Sequence, residues 1–286
     1  MDVMGDKATL LDTGRFAESA DFEQAAELTQ PSDRDEAGEA AEEARQWSAA
    51  QAGDVEAMSV LGAMLLRRGD LDAAEPQLRA ATSAGDRSAA NNLGVLLYQR
   101  GYADEAAGWW RIAAVAGSAA AAHALGRHHR ERGDEPAAEY WLRQSAEQGH
   151  ALGAYALADL LEHRSDVAAE QWMRAAAERG HREAAYRLAR TLDRKALDSG
   201  EAVGDNGVIG AAGQAAEQWY RQAAARGHRR AALHLGAILE KRGDLKEAGR
   251  WYLTSAKDGE ARAACALGFL LRDAGDPDSA AVWWLR

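Results

Sequence analysis

The sequence predicts an all-α fold: a right-handed α-solenoid, or superhelix, in which antiparallel helix pairs stack side by side. Three observations predict it. A Leu-Gly pair recurs at Leu61-Gly62, Leu93-Gly94, Leu125-Gly126, Leu235-Gly236 and Leu267-Gly268, with Leu157-Ala158 and Leu188-Ala189 filling the gap, at steps of 32 residues for the most part. A fixed period of this size marks a repeat architecture. Glycines at 53, 85, 117, 149, 180, 227 and 259 and tryptophans at 109, 141, 172, 219, 251 and 283 keep the same beat. Apolar residues within each repeat return at helical spacing, and only four prolines interrupt 286 residues.

Each repeat reads as two helices, A and B. In helix A of the first repeat, Met58, Leu61, Gly62 and Leu65 form an apolar stripe, and Ala90, Leu93, Gly94 and Leu97 repeat it. A Gly-Asp turn follows at Gly69-Asp70, Gly133-Asp134, Gly243-Asp244 and Gly275-Asp276, where glycine suits a left-handed helix end and aspartate caps the next helix. The inward residues of helix B are Ala74, Leu78 and Ala81, then Ala106, Trp110 and Ala113. Glycine inside helix A costs about 1 kcal/mol relative to alanine, so its recurrence implies a close neighbour. The alanines at 74, 106, 138, 169, 216, 248 and 280 are the expected neighbours, small residue against small residue, with Trp and Leu filling the spaces between pairs.

The resulting organisation is an acidic, mobile leader over 1–32, an N-terminal capping helix over 33–53, and seven repeats. The repeats span 54–86, 87–118, 119–150, 151–181, 182–228, 229–260 and an incomplete 261–286. The cap contains Trp47, Ala49 and Ala50, with polar Glu42 and Gln46 on its outer face. The fifth repeat carries a surface-loop insertion near 196–211; its glycines at 207, 210 and 213 lack the strand before and the Gly-Lys-Ser after that a phosphate loop requires. Pro76 lies inside helix B of the first repeat and predicts a kink or a late start. The sequence ends at Trp283-Trp284-Leu285-Arg286 within a helix B, which predicts either a longer array or self-association through that end.

Charge narrows the function. Residues 1–53 carry 13 acids and 4 bases, leaving 32 acids and 30 bases for the other 233 residues. A near-neutral body lacks the basic footprint of a nucleic-acid or anionic-lipid binder. No run approaches the roughly 18 apolar residues of a membrane span. With one cysteine and no basic leader, the chain is expected to be cytoplasmic.

The spacing Leu-Gly, then glycine, alanine, a large residue and alanine through the second helix, resembles the tetratricopeptide repeat. Trp219-Tyr220-Arg221-Gln222-Ala223-Ala224 with Gly227-His228, and Gly149-His150 leading to Tyr155-Ala156-Leu157, resemble the related Sel-one-like repeat. The short inter-helix turn departs from the longer Sel-one-like unit. The resemblance covers 54–286 and implies a noncatalytic scaffold or adaptor that binds a partner protein or extended peptide on a concave face lined by the A helices. The family's contact positions, carried over, are Asn91, Val95, Tyr98 and Gln99; His123, Arg127, Arg130 and Glu131; Tyr155, Asp159, Glu162 and His163; Tyr186, Arg190, Asp193 and Arg194. The family's carboxylate clamp is not reproduced, since Asn92 stands alone beside Ala120 and Ala124.

No cofactor or metal is expected. His150, His181 and His228 occupy equivalent corners of separate repeats and do not converge. His129 takes a position that is leucine elsewhere and is expected to be buried, as is Cys265 among Ala264, Ala266 and Leu267. No nucleophile elbow, Walker motif or His-Glu-x-x-His is present. The tryptophan column is read as core or inter-repeat packing. Two other classes stay open: a regulatory sensor of a peptide or small ligand, and nucleic-acid binding through Arg182, Arg187, Arg190, Arg194, Arg229 and Arg230.

Overall fold

A computed structural model of the chain describes residues 33–198 and 211–285. Among the described residues there are fifteen helices and no strand. They fall into two compact units, one ending at Arg179 and the other beginning at Gly180. The first holds α1 (Asp33–Gln51), α2 (Val55–Arg68), α3 (Leu71–Ser83), α4 (Arg87–Gln99), α5 (Ala103–Val115), α6 (Ala119–Glu131), α7 (Glu135–Glu147), α8 (Ala151–His163) and α9 (Ala168–Glu178). The second holds α10 (Arg182–Asp198), α11 (Ala211–Ala225), α12 (Arg229–Arg242), α13 (Leu245–Lys257), α14 (Ala261–Asp273) and α15 (Pro277–Trp284). The acidic leader and most of the insertion lie outside the described residues. Helix α10 continues through buried Ala196 to Asp198, so the first residues assigned to the insertion are helical.

Local chemistry sets the helix limits. Asp54, Asp86 and Ser118 stand in extended backbone before α2, α4 and α6, and their side chains accept backbone N–H groups of the first turn. The side chains of Asp70, Asp134 and Asp276 likewise accept a first-turn N–H of α3, α7 and α15. Gly69, at φ 84°, closes α2 in the left-handed region, its N–H bonded to the carbonyl of Leu66. Ser165 fills the corresponding place in the fourth repeat at φ 56°. A side chain in that region costs about 1 kcal/mol, so Ser165→Gly is expected to stabilise the chain by about that amount in urea titration.

Consecutive helices pack in hairpins, A on its own B and B on the next A, throughout each unit. The A stripe forms the core with alternate residues of helix B: Leu61, Leu65, Leu93 and Leu125 lie with Ala74, Leu78, Ala106 and Ala113 in one buried cluster. The helix A glycines, however, do not face the alanines. A Cβ placed on Gly62 would come within 2.6 Å of the Leu78 side chain, on Gly94 within 2.5 Å of the Trp110 ring, on Gly126 within 2.7 Å of Leu142 and on Gly236 within 2.5 Å of the Tyr252 ring. Small against small is therefore corrected to small against large. Each glycine is a gap filled by the bulky residue four positions after the buried alanine, and the close approach recovers in packing what glycine loses in helix propensity. The tryptophans at 109, 141, 172, 219, 251 and 283 are half-buried beside these contacts. Deep burial falls to the next residue along: Trp110, Leu142, Met173, Tyr220 and Tyr252.

Three other expectations are corrected. Of the kink or late start expected at Pro76, the late start is excluded: helix α3 begins at Leu71 under its Asp70 cap, and Pro76 lies inside it. His128, not His129, is the buried histidine of α6. The His129 ring turns to the edge, with Nδ1 3.3 Å from Asp134 Oδ2, while His128 takes the column of buried Leu96 and Leu160. Cys265 is exposed, because it lies on the face of α14 opposite the buried Leu267 stripe.

Ion pairs tie four of the A helix ends to the preceding helix. Arg68 bonds Glu43 at 2.8 Å, Arg242 bonds Glu217 at 3.0 Å, and Arg100 and Arg164 reach Glu75 and Glu139, each pair 25 residues apart. Arg132 departs from the rule and takes Asp104. Arg79 with Arg100, and Arg143 with Arg164, hold the Glu75 and Glu139 carboxyls below the usual carboxylate range. Such partly exposed pairs individually contribute little.

Candidate functional site

In the first unit α2 packs on α4 and α6 packs on α8. No two successive B helices pack to a comparable extent. The stripe that buries Leu93, Leu125 and Leu157 turns the opposite face of each of their A helices away from the core.

On this face the structure joins neighbouring repeats. Tyr98 Oη donates to Glu131 Oε2 at 3.2 Å, and Arg127 bonds the same carboxylate at 3.2 Å, linking α4 to α6. Arg130 bonds Asp159 at 2.8 Å, linking α6 to α8, and His163 Nδ1 lies 2.7 Å from the Asp159 carbonyl. Tyr98 leans on Trp110 with ring centroids 5.6 Å apart, so the B helix residue that fills the Gly94 gap supports it from below. The His123 ring lies 5.3 Å from that of His150. Gln99, Arg127, Arg130 and Glu162 are exposed, and Asn91, Val95, His123, Tyr155 and Asp159 are half-buried. The candidates are therefore brought together on one face as a cross-linked row of phenol, guanidinium, carboxylate and imidazole groups. Such a row can hydrogen-bond both polar groups and charges of either sign. It holds no buried nucleophile.

The second unit treats its candidates differently. Arg190 and Arg194 are exposed and Asp193 is half-buried. Tyr186 is 5% exposed, its ring stacked on His228 at 4.3 Å and its hydroxyl 3.5 Å from His234 Nε2. It is a packing residue, with the Arg190 guanidinium 5.9 Å over its ring. The Tyr220 hydroxyl is buried without a partner at bonding geometry, and burial together with the nearby Asp193 carboxylate raises its pKa. In the next repeat the phenol that fills the glycine gap is satisfied: Tyr252 Oη donates to Glu240 Oε2 at 2.6 Å. Glu240 belongs to the outward face of α12, five residues after Leu235, as Tyr98 stands five after Leu93. The spacing applied to the other repeats would have found it. Among the described residues no three His, Cys, Asp or Glu side chains are grouped to hold a metal ion, and no helix is long and apolar enough to cross a membrane.

No family model matches the sequence, and no curated protein matches it. Among solved structures, the chain is similar to a protective antigen present in uropathogenic Escherichia coli strains that displays an SLR fold. The TM-score is 0.59 at 26% identity, over 82% of this chain and 53% of that one. It is also similar to a Sel1 repeat protein from Oxalobacter formigenes, with a TM-score of 0.56 at 26% identity over 79% of this chain and 94% of that one. The chain thus spans about half the length of the first of these proteins and nearly all of the second.

Proposed function

We propose that this chain, a Sel1-like and tetratricopeptide-like repeat protein, is a noncatalytic scaffold that holds a partner protein, or an extended segment of one, along the outward face of its A helices. The observation that carries the reading is a contrast within one chain. Positions that pack, such as Leu93, Leu125 and Leu157, repeat from unit to unit, while the outward residues change from Asn91, Tyr98 and Gln99 to His123, Arg127 and Arg130 and then to Tyr155, Asp159 and Glu162. A uniform frame with a varied face presents a different set of contacts at each step, which is what reading an irregular partner surface requires. The cross-helix bonds fix Tyr98, Arg130 and Asp159 before a partner arrives and so reduce the entropy lost on binding. In the second unit, Arg190 and Arg194 are the exposed members of the same series.

Partner capture from native lysate tests the reading. Tyr98, Arg127 and Tyr155 are replaced together by alanine, and a control carries alanine at Arg111 and Arg174 on the B helices. The A-face variant is expected to lose the captured protein by tenfold or more with its helical spectrum unchanged, and the control to retain it. Equal capture by both variants removes the A face from the binding surface.

A further inference from the structure

The corners that start successive A helices change their capping chemistry along the chain. Asp54, Asp86 and Ser118 give way to His150, His181 and His228. Each imidazole performs the task of the carboxylate or hydroxyl it replaces. His150 Nδ1 accepts the Gly153 N–H at 3.2 Å, His181 Nδ1 the Ala184 N–H at 3.1 Å and His228 Nδ1 the Ala231 N–H at 3.1 Å. A ring nitrogen accepts a hydrogen bond only when it carries no proton. An aspartate or serine cap keeps its acceptor well below neutral pH; an imidazole cap does not.

We propose that His150, His181 and His228 are pH-sensitive helix caps: acidification protonates the capping nitrogens and releases the first turn of α8 in the first unit and of α10 and α12 in the second. Protonation removes the acceptor and also places a cation at the positive end of a helix. The groups facing each ring modulate this. His150 meets the His123 ring, Ser145 Oγ at 3.2 Å and, across Gly149, the Arg179 guanidinium. His181 has Arg182 and Glu183 on its own helix and Arg226 lying across Gly180. His228 donates from Nε2 to Glu183 at 2.8 Å, stacks on Tyr186, and has His234 on its own helix and Arg182 beyond Gly227. Burial holds His150 and His181 below the ordinary imidazole value of 6.5. The folded chain then binds fewer protons than the unfolded chain, so the stability these caps supply is complete above 6.5 and is lost as the pH falls through the lowered folded values.

Melting temperatures at pH 7.5 and 5.5 test this on the full chain, beside a variant carrying His150→Ser, His181→Ser and His228→Ser, since Ser118 already caps the same corner. Each cap corresponds to roughly 2–4 °C. The parent is expected to fall by roughly 6–12 °C between the two pH values and the variant by less than half as much. An equal fall in parent and variant overturns the proposal. Nitrogen chemical shifts of the three rings in the parent give a second test that does not depend on the variant folding. Nδ1 is expected to be unprotonated at pH 7.5 and protonated at pH 5.5 in step with loss of helix signal; Nδ1–H at pH 7.5 overturns it.

Discussion

Gly94→Leu is expected to lower stability by about 3 kcal/mol, a fall in melting temperature of roughly 6–12 °C. The cause is the indole of Trp110, whose Cδ1 and Nε1 would stand 2.5 Å from the new Cβ. Trp110 is 5% exposed and belongs to the buried cluster around Leu93 and Ala106, so it has no free volume to turn into. Gly94→Ala is informative in the opposite sense to helix propensity. Alanine gains about 1 kcal/mol in an unconstrained helix, yet here it is expected to destabilise. The fourth repeat shows the compatible arrangement: it carries Ala158 in helix A and the more adaptable Met173 at the matching place in helix B. Thermal melts of the two Gly94 variants check both statements.

Trp110→Ala is expected to cost about 3–5 kcal/mol, and Trp109→Ala clearly less. The two residues are adjacent on α5 and point about 100° apart. Trp110 fills the Gly94 gap, whereas Trp109 lies half-buried against the edge of the core. The repeating tryptophan column is thus the less consequential of the two. Denaturation by urea separates them, and a Trp109→Ala loss equal to that of Trp110→Ala would place the column in the core instead.

How much of this was legible in the sequence follows from what a period can encode. The recurrence of Leu-Gly, of the corner glycines and of the Gly-Asp turns establishes which positions are equivalent, and so gives the hairpins, their order and the outward series on the A helices. It does not say what each equivalent position faces. Size alone pairs Gly94 with Ala106, but facing neighbours must fill space, so the glycine lies against Trp110. His129 and His128 differ by one residue, and a stripe wide enough to bury both Leu96 and Leu97 does not choose between them. The apolar sequence neighbours of Cys265 suggest burial, but adjacent helix residues point in different directions and the thiol is exposed. Register alone places Tyr186 outward, and its stacking on His228 is a contact 42 residues away that no local pattern carries. The arginine pairs are hidden in a chain rich in both charges, and Arg132 departs from them. The histidine caps were visible as a column, but their acceptor role appears only once the Nδ1 distances are known.

The assignment of the outward face rests on the rotation of the A helices: with Leu93 and Gly94 pressed on helix B, Tyr98 and Gln99 must look away from it. A double-mutant cycle between Gly94→Ala and Trp110→Ala measures that rotation most directly. The expected result is strong coupling, of about 1–3 kcal/mol, with Gly94→Ala harmless or stabilising once the indole is gone. Additive losses would mean that Gly94 does not face Trp110, and the partner-binding face would then have to be sought on another side of the A helices.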